Sequence, residues 1–109
     1  MAIRGKRRSN PEKRGTQSTM MDLQHLKSFV AVVAAGSFTR AALQLGYSQS
    51  TITFHIKCLE RELGALLLDR FRFSRAISLT EAGGQVYNSA ARLLTLAEEI
   101  RFAVRRKSE

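Results

Sequence analysis

Cysteine and histidine are scarce in this sequence, and long apolar runs are missing from it. Cys58 is its one cysteine, which excludes an intramolecular disulfide framework and suits a reducing cytosol. His25 and His55, the two histidines, lie far apart in the chain, so a zinc site lacks ligands and neither metal nor cofactor is expected. No plausible nucleophile and base stand together. Glu98 and Glu99 are neighbours on a helical pattern and point about 100° apart, which does not make an acid–base pair. Gly83 and Gly84 lack the neighbours that a phosphate-cradling loop needs. The chain is therefore read as having no catalytic site. No segment is long and apolar enough to cross a membrane, and the basic opening has no apolar centre to act as a secretory signal.

What is present is positive charge: 18 Lys and Arg against 9 Asp and Glu, a net +9 over 109 residues. Its distribution is uneven. Residues 1–20 carry a net +5 and residues 101–109 a net +3, which leaves +1 for everything between. Net charge alone thus does not mark the body as a nucleic-acid binder, and the local arrangement has to be read. With 44% hydrophobic and 25% charged residues, the chain is expected to form one small domain.

Residues 1–20 mix basic residues with Gly, Ser, Asn, Pro and Thr and show no apolar period. They read as a disordered basic arm, or as a leader preceding a start at Met20 or Met21. Order is expected from Asp22, a cap for a first helix whose apolar stripe is Leu23, Leu26, Val30 and Val33, widened by Phe29 and Val32 and closed by Gly36. Ser37 caps a short second helix with Phe38, Ala41, Ala42 and Leu45 inside and Gly46 at its exit. A third begins at Ser48, buries Ile52, Ile56, Leu59 and Leu63, leaves Glu60 and Glu62 as polar positions and stops at Gly64. The stretch LLLDRFRFSRAISLT suggests two short strands joined near Ser74. Thr80 then caps a long last helix, whose first turn Gly83 and Gly84 weaken. Val86, Ala90, Leu93, Ala97, Ile100 and Val104 repeat along it at heptad spacing.

From Phe38 to Ile56 this is a helix-turn-helix pattern, a geometry that presents one helix to the major groove. The outward face of that helix carries Ser50, Phe54, Lys57 and Arg61, flanked by Gln49 and Thr53. An ordinary solvated face is the plain alternative. Arg70, Arg72 and Arg75 in the hairpin suit phosphate contact, or else are surface charge. Cys58 reads as a half-buried inert thiol, and the histidines as surface or boundary residues.

From Met21 to about Ile100 the sequence resembles the amino-terminal winged helix-turn-helix domain of LysR-type bacterial transcriptional regulators. Three segments carry the likeness: DLQHLKSFVAVVAAGSFTRAALQLGYSQSTITFHIKCLE, GALLLDR and LTEAG. The resemblance implies a mainly α fold, in which a three-helix core and a short two-stranded wing are followed by a long linker helix. It implies a third helix reading duplex DNA through Ser48, Gln49, Ser50, Thr53 and Phe54, with wing arginines at Arg70 and at Arg72 or Arg75. Ser50 stands where the family commonly has Pro, and Phe54 where it often has a basic or polar residue. Phe54 would meet a thymine methyl, a neighbouring subunit or the wing. Residues 21–79 would be the DNA reader, and residues 80–106 a helix that pairs antiparallel with its copy in a homodimer. The apolar stripe has a second reading, as cover for the domain's own core. Family members normally continue into a domain that senses a small molecule, so no effector site is expected in a chain ending at Glu109. The resemblance further implies a transcriptional regulator of the bacterial cytoplasm, nucleoid-associated when bound. The competing function is a protein-interaction module that uses the same fold without touching DNA.

Overall fold

The computed structural model describes residues 21–69 and 76–108. The expected arm at residues 1–20, the turn near Ser74 and the wing arginines Arg70, Arg72 and Arg75 lie outside the described residues. Four helices occur in the order α1 Leu23–Ala35, α2 Phe38–Leu45, α3 Gln49–Leu63 and α4 Glu81–Ser108. Their starts are set by short polar side chains that take up amide groups the first turn leaves unpaired. Asp22 Oδ1 accepts from Gln24 N at 2.8 Å, Ser37 Oγ from Arg40 N at 3.0 Å and Ser48 Oγ from Thr51 N at 3.1 Å. α1, α2 and α3 end at Gly36, Gly46 and Gly64 with φ of 66°, 76° and 70°, the left-handed region where a side chain would be strained.

α1 lies at the centre and packs on α2, α3 and α4. The buried core joins Leu26, Phe29 and Val32 of α1 to Ala41 and Ala42 of α2, Ile52, Ile56 and Leu59 of α3, and Ala90 of α4, with Leu67 and Leu68 below them. The apolar stripe expected on α1 is rotated. Leu26, Phe29 and Val32 are its fully buried line, Val30 and Val33 flank it, and Leu23 is exposed. A helix enclosed by three others buries most of its circumference, so a single-stripe reading misplaces the centre.

Of the expected wing, the root is present as an isolated antiparallel bridge between Leu68 and Leu79. It is closed by hydrogen bonds from Asp69 N to Ser78 O at 2.8 Å and from Thr80 N to Leu67 O at 3.1 Å. Two polar groups tie this root to the helices. Glu60, expected as a polar surface position, is only 8% exposed, and its carboxylate accepts from Leu67 N at 2.9 Å. Thr80 Oγ1 accepts from Gly83 N at 2.9 Å, as a cap should, and donates to Leu66 O at 2.6 Å.

Gly83 has a role other than weakening the first turn of α4. A β-carbon at this position would stand 2.0 Å from the Leu67 carbonyl oxygen. Glycine there lets the helix settle directly on the chain entering the wing. No helix among the described residues is long and apolar enough to cross a membrane.

Candidate nucleic-acid interface

α2 and α3 form the helix-turn-helix. Gly46 N and Tyr47 N both donate to Ala42 O, at 2.9 and 3.0 Å, which closes α2 and turns the chain into Ser48. The small buried pair Ala41 and Ala42 lets the helices approach, while Ile52, Ile56 and Leu59 hold α3 down. The other side of α3 faces water. Ser48, Gln49, Ser50, Phe54 and Lys57 are exposed together there, Arg61 continues the row, and Thr53 is half-buried at its edge. Six of the nine nucleic-acid candidates thus lie along α3 and its cap; the three wing arginines are outside the described residues.

The start of this face is pre-ordered. Ser48 Oγ bonds to Ser50 Oγ at 3.1 Å and to Thr51 Oγ1 at 3.0 Å as well as capping the helix, and the Gln49 side-chain amide donates to Thr39 Oγ1 of α2. Phe54 is 60% exposed, an unusual state for a phenyl ring, and stands edge-on to His25 at 6.4 Å between ring centroids. Being exposed, it keeps its outer face available for apolar contact.

His25 and His55 are distant in sequence and adjacent in space. Their rings are 4.6 Å apart, Ser28 Oγ lies 2.7 Å from His55 Nδ1, and Tyr47 meets His55 edge-on at 5.1 Å. Burial and the neighbouring His25 push the His55 pKa below its ordinary value, against a smaller opposing pull from Asp22. His55 therefore turns toward α1, behind the exposed face. The cluster escapes sequence reading because its members come from α1, α3 and the turn at Tyr47. One clue exists, since His55 follows the buried Ile52 by three residues and directly precedes the buried Ile56, which puts it beside the inward face of α3. Among the described residues no group of three or more His, Cys, Asp or Glu is placed to hold a metal ion. Cys58 is half-buried and free.

The heptad positions of α4 divide. Val86 and Ala90 pack on the chain's own core, Ala90 to 3% exposure, so these first two members of the stripe are occupied within the chain. Ala97 is half-buried. Leu93, Ile100 and Val104 are 41%, 63% and 64% exposed, and Leu96 and Phe102 are exposed with them. An apolar groove runs beside this helix between Met21, Leu26, Leu63, Val86, Ala90 and Leu93.

Residues 23–84 match the bacterial regulatory helix-turn-helix protein family of LysR type. The chain belongs to the LysR family. Among its relatives, the HTH-type transcriptional regulator BudR of Raoultella terrigena is 46% identical over 78 residues, covering 72% of this chain and 26% of that protein. A probable cat1 operon transcriptional activator of Acinetobacter lwoffii is 41% identical over 86 residues, or 79% of this chain and 28% of that protein. The LysR-family chain thus spans about a quarter of the length of these two regulators. Among solved structures, the BenM DNA-binding domain in complex with catB site 1 DNA superposes with a TM-score of 0.75 at 38% identity, covering 82% of this chain and 97% of that one. The CbnR DNA-binding domain in complex with DNA gives 0.70 at 38% identity, covering 82% and 100%. Ser50 and Phe54 are the two positions on α3 expected to depart from the family's usual residues. The Ser50 hydroxyl joins the cap network, and Phe54 packs edge-on against α1.

Proposed function

We propose that this chain binds duplex DNA sequence-specifically as a homodimer and acts as a bacterial transcriptional regulator, working in the cytoplasm. The observation that carries the reading is the exposed, pre-ordered amino-terminal half of α3 on a scaffold similar to domains solved in complex with DNA. Ser48, Gln49, Ser50, Thr53 and Phe54 read base edges from the major groove, where all four base pairs are distinguishable. Lys57 contacts phosphate, and Arg70, Arg72 and Arg75 carry the wing's contacts to the backbone or minor groove. Residues 21–79 form the reader and residues 80–106 the pairing helix, with the first turns of α4 also serving the reader's core.

Dimerisation through α4 rests on Leu93, Ala97, Ile100 and Val104. At 28 residues α4 is about 42 Å long, more than its own domain covers, and its distal apolar positions stay exposed. A two-fold pair presents two copies of α3 to two half-sites. No catalytic step is assigned to any residue.

Selection of binding sites from random duplex tests both parts, since a palindromic consensus is expected. Gln49→Ala should weaken the selected site by about 1–3 kcal/mol while sparing random duplex, as read by titration against both. Equal losses on the two would remove Gln49 from base reading. No affinity for any duplex at low salt would favour a protein-interaction module instead.

A further inference from the structure

Gln49 opens α3 and Thr39 stands in the first turn of α2. The side-chain amide of Gln49 donates to Thr39 Oγ1 across the gap between the two helices. Both side chains are exposed, so no buried group needs this bond for its own satisfaction. An exposed glutamine otherwise samples many rotamers, and the contact restricts this one. The nearby hydroxyls of Ser48, Ser50 and Thr51 are engaged with one another at the helix cap, which leaves Thr39 to restrain the amide. Glutamine reads adenine in the major groove with its oxygen accepting from N6 and its nitrogen donating to N7. An amide nitrogen carries two hydrogens. With one committed to Thr39, the second hydrogen and the carbonyl oxygen remain, which is the donor–acceptor pair that adenine requires.

We infer that Thr39 is a positioning residue for base readout: it holds the Gln49 amide in the orientation that reads an adenine. Selectivity at one base pair then depends on a side chain of the supporting helix, acting through Gln49. This rests on the proposed reading of Gln49 as a base reader.

The test uses the full 109-residue chain, the duplex recovered by selection from a random library, and that duplex altered one base pair at a time. Gln49→Ala is expected to flatten the preference at one A·T pair. Thr39→Val should reduce the preference at that same pair about two- to tenfold, the usual weight of one hydrogen bond, with the salt slope unchanged. Thr39→Ser, which keeps the hydroxyl, should restore it. In the Gln49→Ala background Thr39→Val should change nothing further. Thr39→Ala is the second hydroxyl-free variant should valine disturb α2. A uniform loss on every duplex with a salt slope lowered by about one would make Thr39 a phosphate contact and overturn the inference. So would an intact preference in both hydroxyl-free variants while Gln49→Ala flattens it. If Gln49→Ala itself leaves every preference intact, the base-reader assignment fails first and the positioning role falls with it.

Discussion

The two halves of α4 carry one apolar repeat and meet different surroundings. Val86 and Ala90 are absorbed by the core of the winged domain, whereas Leu93, Ile100 and Val104 are left facing water. Both halves are apolar at heptad spacing, so periodicity identifies the stripe without saying what covers it. The covering is decided by where α1 begins. Met21 and Leu26 flank the groove beside α4, and the distal part of the helix runs on past the domain. A core contact and an assembly contact can thus be written by the same pattern on adjacent turns.

That difference can be broken directly. Ala90→Glu, in the buried half, places an unpaired carboxylate in the core and should lower stability by about 3 kcal/mol or more in a urea melt. An unchanged midpoint would mean that the proximal half does not pack as described. Gly83→Ala should cost about 2 kcal/mol, because the clash with the Leu67 carbonyl outweighs the roughly 1 kcal/mol by which alanine favours a helix over glycine. A stabilised variant would show that α4 does not rest on the wing root.

In the exposed half, Ile100→Glu should move the melt by less than about 0.5 kcal/mol when measured at a concentration too low for chains to pair. It should nevertheless convert dimer to monomer in sedimentation and weaken a duplex with two half-sites on the order of 100-fold. A point change separates these effects better than truncation after Ser89, which would also remove Ala90 from the core.

The smallest effect belongs to His55, and it follows pH. His55 is held below its ordinary pKa of 6.5, so folding favours its neutral form. Its contribution is complete above about pH 6.5, declines as pH falls toward the lowered folded-state value and is flat below that. Replacing it, as in His55→Gln, should shallow the loss of stability between about pH 7 and 5.

Most of the fold is legible before folding because its signals are local. The caps at Asp22, Ser37, Ser48 and Thr80 and the exits at Gly36, Gly46 and Gly64 each concern a few neighbouring residues. The exposed face from Ser48 to Lys57 is equally legible, since a helical period and the turn before it are enough to aim it. Glu60 is harder. Read as a polar residue it belongs outside, yet it falls four residues after Ile56 and eight after Ile52, on the buried side, where the Leu67 amide meets it. Gly83 is hidden for the same kind of reason: a glycine near a helix start looks like weakness until the carbonyl pressed against it is known.

By itself, then, the sequence determined the helices, their ends, the helix-turn-helix and the family, all of which follow from residue order over short distances. Tertiary structure alone decided which turns of α4 the core absorbs, and it brought His25 to His55 and Thr39 to Gln49. Those are contacts between separate helices, set by crossing angles and close approach that no local period encodes.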